Sequence, residues 1–85
     1  MPALVTVRLR YLARYAELLG VESEELALAA PVTVGDVVTA VRAKYPAASQ
    51  LPAKPLCAVN FRQALWGDRV SAGDEVALLP PVAGG

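Results

Sequence analysis

Histidine is absent from this 85-residue chain, and Cys57 is its only cysteine. A Cys/His zinc site, a disulfide framework and a histidine-dependent catalytic triad therefore all lack parts. Cys57 lies in the apolar stretch Pro55-Leu56-Cys57-Ala58-Val59, which suits a buried structural thiol better than a nucleophile. Net charge is missing too. Eight Lys/Arg balance eight Asp/Glu, so no long-range field favours nucleic acid or an anionic membrane. No phosphate-binding loop or dinucleotide-type glycine motif occurs, so the chain carries no nucleotide-binding signature of its own. Arg8, Arg10 and Arg14 interrupt the first apolar residues and leave no signal-peptide core, and nowhere do about 18 uncharged apolar residues run together. The expectation is a soluble, cytoplasmic chain with neither a nucleic-acid nor a membrane partner, and with no metal site.

What is present points to one small domain. A chain of this length buries a fraction of its surface nearer the ~60% of a 60-residue domain than the ~70% of a 150-residue one. Apolar residues make up 55% and charged residues 19%, against usual shares of about 45–50% and about 25%. That composition excludes disorder. It also leaves more apolar surface than a small fold hides, and so predicts a protein partner.

Val5, Val7, Leu9 and Tyr11 alternate with Thr6, Arg8 and Arg10, which predicts a strand with one face buried. Leu12, Tyr15, Ala16 and Leu19 follow at helical spacing, with Gly20 as a left-handed cap. Glu24 to Ala29 reads as a second strand with Leu26 and Leu28 inward, stopped by Pro31. Thr33 can cap a helix carrying Asp36 in its first turn and an apolar stripe of Val34, Val37, Val38, Val41 and Tyr45. Pro46 ends it, and 47–55 reads as an exposed, irregular connection. Short strands are expected at Leu56–Asn60 and Ala64–Trp66, then turns at Gly67-Asp68 and Ser71–Asp74. Glu75–Leu79 is apolar on both faces and predicts a central strand. This order fits an α+β fold of the ubiquitin-like β-grasp type, a mixed sheet crossed by one main helix with a short helix after the first strand. The domain is expected over 1–79, with a tail over 80–85.

That tail reads Pro80-Pro81-Val82-Ala83-Gly84-Gly85. Two prolines fix φ and favour an extended path, so six residues at ~3.1 Å each reach nearly 20 Å from the sheet. Glycine lacks Cβ and threads a narrow channel where another backbone or a nucleotide comes close. An α-carboxylate, with its pKa near 3.5, is already an anion at neutral pH and attacks the α-phosphate of ATP without a general base. The acyl-adenylate is then open to a sulfur or nitrogen nucleophile.

The chain resembles the small subunit of molybdopterin synthase, a ubiquitin-like sulfur-carrier family. The likeness rests on Leu12-Ala13, Glu17-Leu18-Leu19-Gly20, Ala58-Val59-Asn60 and, most specifically, Gly73-Asp74-Glu75-Val76-Ala77 running through Pro80-Pro81-Val82 to Gly84-Gly85. Ala16 stands where relatives often have arginine, and the 47–55 connection is individual. The resemblance implies a cycle. A partner adenylating enzyme uses ATP to activate Gly85, a sulfur-transfer enzyme converts it to a thiocarboxylate, and the tail enters a large catalytic subunit that supplies the catalytic lysine. Sulfur passes there to cyclic pyranopterin monophosphate, and two rounds build the dithiolene. No permanently bound cofactor is implied, and the chain itself is a sulfur-donor subunit. Gly85 carries the reacting group, Gly84, Ala83 and Val82 thread, and Pro80 and Pro81 hold the tail off the sheet. Leu12 and Leu79 match apolar docking positions. Phe61 is a further docking candidate that core burial would exclude, as it would Trp66. Lys44 and Lys54 read as solvated charges. Three rival readings are a thiamine-pathway sulfur carrier, against which Pro80 and Pro81 count; a ubiquitin-like modifier joined through Gly85 to lysines of other proteins; and a binding module with an inert tail.

Overall fold

The computed structural model describes residues 3–81. Strand β1 (Leu4–Tyr11) buries Val7, Leu9 and Tyr11 and exposes Thr6, Arg8 and Arg10, the alternation that a half-buried strand requires. Helix α1 (Arg14–Leu19) buries Tyr15 and Leu19 and ends at Gly20, whose φ of 78° is the left-handed cap and whose N–H donates to the Ala16 carbonyl. Strand β2 (Ser23–Ala29) returns antiparallel to β1, pairing Leu4 with Ala29 and Arg10 with Ser23, and packs Leu26 and Leu28 against the core.

A two-residue strand, β3 (Val32–Thr33), leads into α2 (Val34–Lys44). Thr33 and Asp36 form a reciprocal capping box. The Asp36 N–H donates to Thr33 Oγ1 at 3.2 Å, and the Thr33 N–H donates to Asp36 Oδ2 at 2.9 Å, so two orphan donors of the first turn are satisfied. Val34, Val37, Val38 and Val41, at i, i+3, i+4 and i+7, are buried in one cluster with Val7, Leu9, Val76 and Leu78. Each buried valine contributes roughly 1.5 kcal/mol or more.

The connection after α2 corrects the sequence expectation of an exposed, irregular loop. Pro46–Gln50 forms a 3₁₀ helix, and Ala48, Leu51 and Pro55 are buried. Proline at its first position costs no hydrogen bond there. Arg42 ties the segment down by donating to the carbonyls of Ala48 at 3.1 Å, Ala53 at 3.2 Å, and Pro52. Local composition read as loop because the residues that anchor it lie up to eleven positions apart.

Strands β4 (Leu56–Val59) and β5 (Arg62–Ala64) form a hairpin around Asn60-Phe61, so the expected strand at 64–66 begins two residues earlier at Arg62. Both turn residues have positive φ, 50° and 70°, as in the two-residue turns whose twist matches the flanking strands. Strand β6 (Arg69–Val70) pairs with β3 in a small second sheet that the sequence reading missed. Strand β7 (Glu75–Leu79) lies between β1, parallel to it, and β4, antiparallel. The main sheet runs β2-β1-β7-β4-β5, so β7 is central as expected and the β-grasp arrangement holds.

Candidate functional site

Pairing across the sheet fixes what its outer face carries. Register places Arg8 beside Glu75, Arg10 beside Ala77, Ala77 beside Ala58, and Leu79 beside Leu56. Leu12 continues past β1, its N–H donating to the Leu78 carbonyl at 3.1 Å. A groove of about 410 Å³ results, lined by Leu12, Phe61, Leu79, Ala58, Ala77 and the Arg10–Glu75 pair. The alanines make its floor because their side chains are short. Arg10 and Glu75 approach to 3.6 Å with Arg10 largely solvated, so this pair adds little stability and marks polarity at the rim.

Leu12, Leu79 and Phe61, far apart in sequence, are thus brought together on one surface. Leu12 and Leu79 are half-buried, while Phe61 is 86% exposed, which removes core burial as its role. Trp66 behaves differently. Its ring packs on Gly35, where an added Cβ would meet the indole Nε1 at 2.6 Å. Leu56 at 37% and Leu65 at 73% extend the exposed apolar surface along β4 and past β5, and neither was foreseen as a surface position. Only the β4–β7 register reveals Leu56, since its strand reads apolar throughout.

The Asn60-Phe61 turn is held by a polar clamp. Asn60 Nδ2 donates to Asp74 Oδ1 at 3.0 Å, the Glu75 N–H donates to Asn60 Oδ1 at 3.0 Å, and the Ser71 N–H donates to Asp74 Oδ2 at 2.8 Å. The Ser71 amide and the Asn60 side chain together hold the Asp74 carboxyl below its ordinary value.

The tail begins at this face. Strand β7 ends at Leu79, and Pro80 and Pro81 follow it outside the strand. Val82, Ala83, Gly84 and Gly85 lie outside the described residues. Cys57 is buried on the opposite face, 1% exposed, and desolvation pushes its thiol up to about 11, so it is protonated and inert at neutral pH.

Lys44 is exposed, as expected of a solvated charge, and it also has a partner. It pairs with Glu24, whose Oε2 also accepts from Tyr11 Oη at 2.6 Å and Tyr45 Oη at 2.7 Å. Burial opposes ionisation of Glu24, but the donors on Lys44, Tyr11 and Tyr45 outweigh it and hold the carboxyl below the usual glutamate value. The cluster ties β1, β2 and α2 together, away from the groove. Among the described residues no group of three or more His, Cys, Asp or Glu is placed to hold a metal ion, and no helix is long and apolar enough to cross a membrane.

With this geometry in place, comparison with known proteins is informative. The ThiS family model matches residues 9–85, from the middle of β1 to the final glycine. The chain belongs to the ThiS family. This ThiS-family chain is 27% identical over 88 residues to the human molybdopterin synthase sulfur carrier subunit, with all of both chains covered. Its fold superposes with a TM-score of 0.82 on SAMP1, the small archaeal modifier protein 1, of Haloferax volcanii, at 30% identity over 94% of this chain and 99% of that one. A Pyrococcus furiosus protein assigned as molybdopterin converting factor subunit 1 gives a TM-score of 0.83 at 28% identity, covering 92% and 99%. The ThiS-family chain is a ubiquitin-like sulfur carrier of the β-grasp fold.

Proposed function

We propose that this chain is the sulfur-carrying small subunit of a molybdopterin synthase. One observation carries the reading: a groove floored by Ala58 and Ala77 and walled by Leu12 and Leu79 lies at the root of a tail that reads Pro-Pro-Val-Ala-Gly-Gly. The end-to-end likeness to the human sulfur carrier subunit supports it, since both chains are covered in full.

The chemistry follows from the carboxylate at Gly85. Its oxygen attacks the α-phosphorus of ATP in the active site of a partner adenylating enzyme, pyrophosphate leaves, and an acyl-adenylate forms. A sulfide equivalent supplied by a sulfur-transfer enzyme adds at the carbonyl carbon and AMP departs, leaving the thiocarboxylate. The tail then enters the large subunit, where sulfur passes to cyclic pyranopterin monophosphate and water restores the carboxylate. This chain's residues supply reach, threading and docking. Pro80 and Pro81 hold the tail extended, Val82, Ala83 and Gly84 thread, and Leu12, Leu79 and Phe61 dock. No side chain of this subunit is asked to act as acid or base.

Adding one alanine after Gly85 moves the carboxylate by about one residue, some 3 Å, out of reach of the α-phosphate. Activation and sulfur transfer are expected to be abolished, and unchanged activity would sink the proposal. A second reading is favoured by the likeness to the archaeal modifier: conjugation through Gly85 to lysines of other proteins. An antibody to this chain separates the two in a lysate, a single band for a dedicated carrier against a ladder of conjugates for a modifier.

A further inference from the structure

Lysine is scarce in this chain. Six of its eight basic side chains are arginines, whose guanidinium stays protonated and does not act as a nucleophile, and only Lys44 and Lys54 carry an amine. The two are placed differently. Lys44 is engaged by Glu24 and lies 5.5 Å from the centre of the Tyr45 ring, and the Glu24 contact holds its ammonium above the ordinary lysine value. Lys54 is exposed, and it takes part in neither of the ion pairs found among the described residues.

The backbone on either side of Lys54 is anchored. The Ala53 carbonyl accepts from Arg42 at 3.2 Å, Pro55 is buried, and the Pro55 carbonyl accepts from Cys57 Sγ at 3.4 Å. That anchorage puts Lys54 near the root of the tail. Strand β4 is antiparallel to β7 with Leu56 opposite Leu79, so the residues just before Leu56 lie on the side from which the chain leaves for Pro80. A paired Cα separation of about 5 Å and two residues of about 3.6 Å each put the Lys54 Cα no more than about 13 Å from that of Leu79. From Leu79 to Gly85 is six residues, at most about 20 Å of chain. The tail is therefore longer than the gap, and a glycine pair admits the turn that closes it. The start of β1 lies at the other end of the sheet: Leu4 is seven residues, about 23 Å, from Tyr11, which stands opposite Leu78.

We propose that Lys54 is an internal acceptor site for an activated Gly85 carbonyl, the tail closing on the 51–55 segment as an isopeptide-linked ring. The neutral Lys54 amine adds to the Gly85 carbonyl carbon. The bond to the leaving group breaks, so AMP departs from an acyl-adenylate or a thiol from a thioester, and the surplus amine proton passes to solvent. The product has no free terminal carboxylate and carries no sulfur. Where Gly85 is adenylated, as in the carrier reading, a sulfur nucleophile competes with Lys54 for the same carbon. The site goes beyond that reading, because it belongs to this chain alone and holds for any route that activates Gly85.

The test needs no other protein, so its failure is separate from failure of the carrier reading, which rests on the enzyme-dependent mass change. The full chain is released by a thiol from an intein fusion, which leaves a thioester at Gly85, and is held at about pH 9, where ordinary lysine amines begin to lose their proton. At about 10 µM chain, an effective concentration in the mM range favours closure over dimerisation about 100-fold. The expected intact mass is that of the carboxylate chain less one water, with fragmentation placing the branch between Lys54 and Gly85. Lys54→Arg keeps the charge, removes the nucleophile and is expected to give only the hydrolysed carboxylate. Lys44→Arg is expected to close as the parent does. Hydrolysis alone in the parent chain, a branch at Lys44 or at the N-terminal amine, or dimers as the main product would each overturn the proposal.

Discussion

Leu78 and Leu79 are adjacent in β7 and serve opposite ends. Leu78 is fully buried among Val7, Leu9, Val38 and Val76, whereas Leu79 faces outward beside Leu56 at the groove and the root of the tail. The same contrast runs along β1, where Val7, Leu9 and Tyr11 are buried and Arg8 and Arg10 are not. Because strand side chains alternate, one run of sequence specifies a core on one side and a surface on the other, and each side can vary without the other. The inner face has conventional valine-rich packing. The outer face breaks expectation, with exposed leucines and a strained phenylalanine.

The largest expected effect lies on the inner face. Leu78→Ala deletes fully buried methyl groups and is expected to cost about 3 kcal/mol, measured by urea unfolding. Leu79→Asp inverts the pattern, with stability within about 1 kcal/mol of the parent but large-subunit binding lost. Equal stability losses at the two positions would break the comparison, and intact binding by Leu79→Asp would remove the groove as docking site.

Gly35→Ala sharpens the inner side further. Its Cβ would stand 2.6 Å from the Trp66 indole, so an overpacking cost of about 1–3 kcal/mol is expected despite alanine's better helix propensity. A stabilised variant would mean that Trp66 moves freely.

The smallest effect concerns Glu24. Its carboxyl is held below the ordinary glutamate value of 4.5 by Lys44, Tyr11 and Tyr45, against the opposing effect of burial. A group depressed in the folded state stabilises it at pH above the unfolded value and loses that contribution as pH falls through the folded one. Stability is therefore expected to fall as pH drops below about 4.5, and Glu24→Gln, costing about 1 kcal/mol at neutral pH, is expected to flatten that fall. An unchanged acid slope would assign it to other carboxylates.

The elements most legible in the sequence carry their own local signature. Period-two alternation gave β1, the Thr33-Asp36 box with four valines gave α2, and the glycine after Leu19 gave the end of α1. What escaped depends on contacts between distant residues. The 47–55 segment is ordered by Arg42, and β3 and β6 exist only through each other. The second strand of the hairpin was placed two residues late because Phe61, with its aromatic bulk, does not read as a positive-φ turn residue. The proposed docking positions Leu12 and Leu79 came from family resemblance, and the register then placed Leu56 beside Leu79 and the alanines on the groove floor. The exposure of Phe61 followed from the turn alone.

The central claim is that the outer face and tail serve a carboxylate that carries sulfur. It is tested most directly by the intact mass of the chain after incubation with the adenylating enzyme, ATP and a sulfur source. The expected result is replacement of one oxygen by one sulfur, localised to Gly85 by fragmentation and absent when Gly84 and Gly85 are removed. An unchanged mass under conditions in which the adenylating enzyme modifies its known carrier would contradict the account.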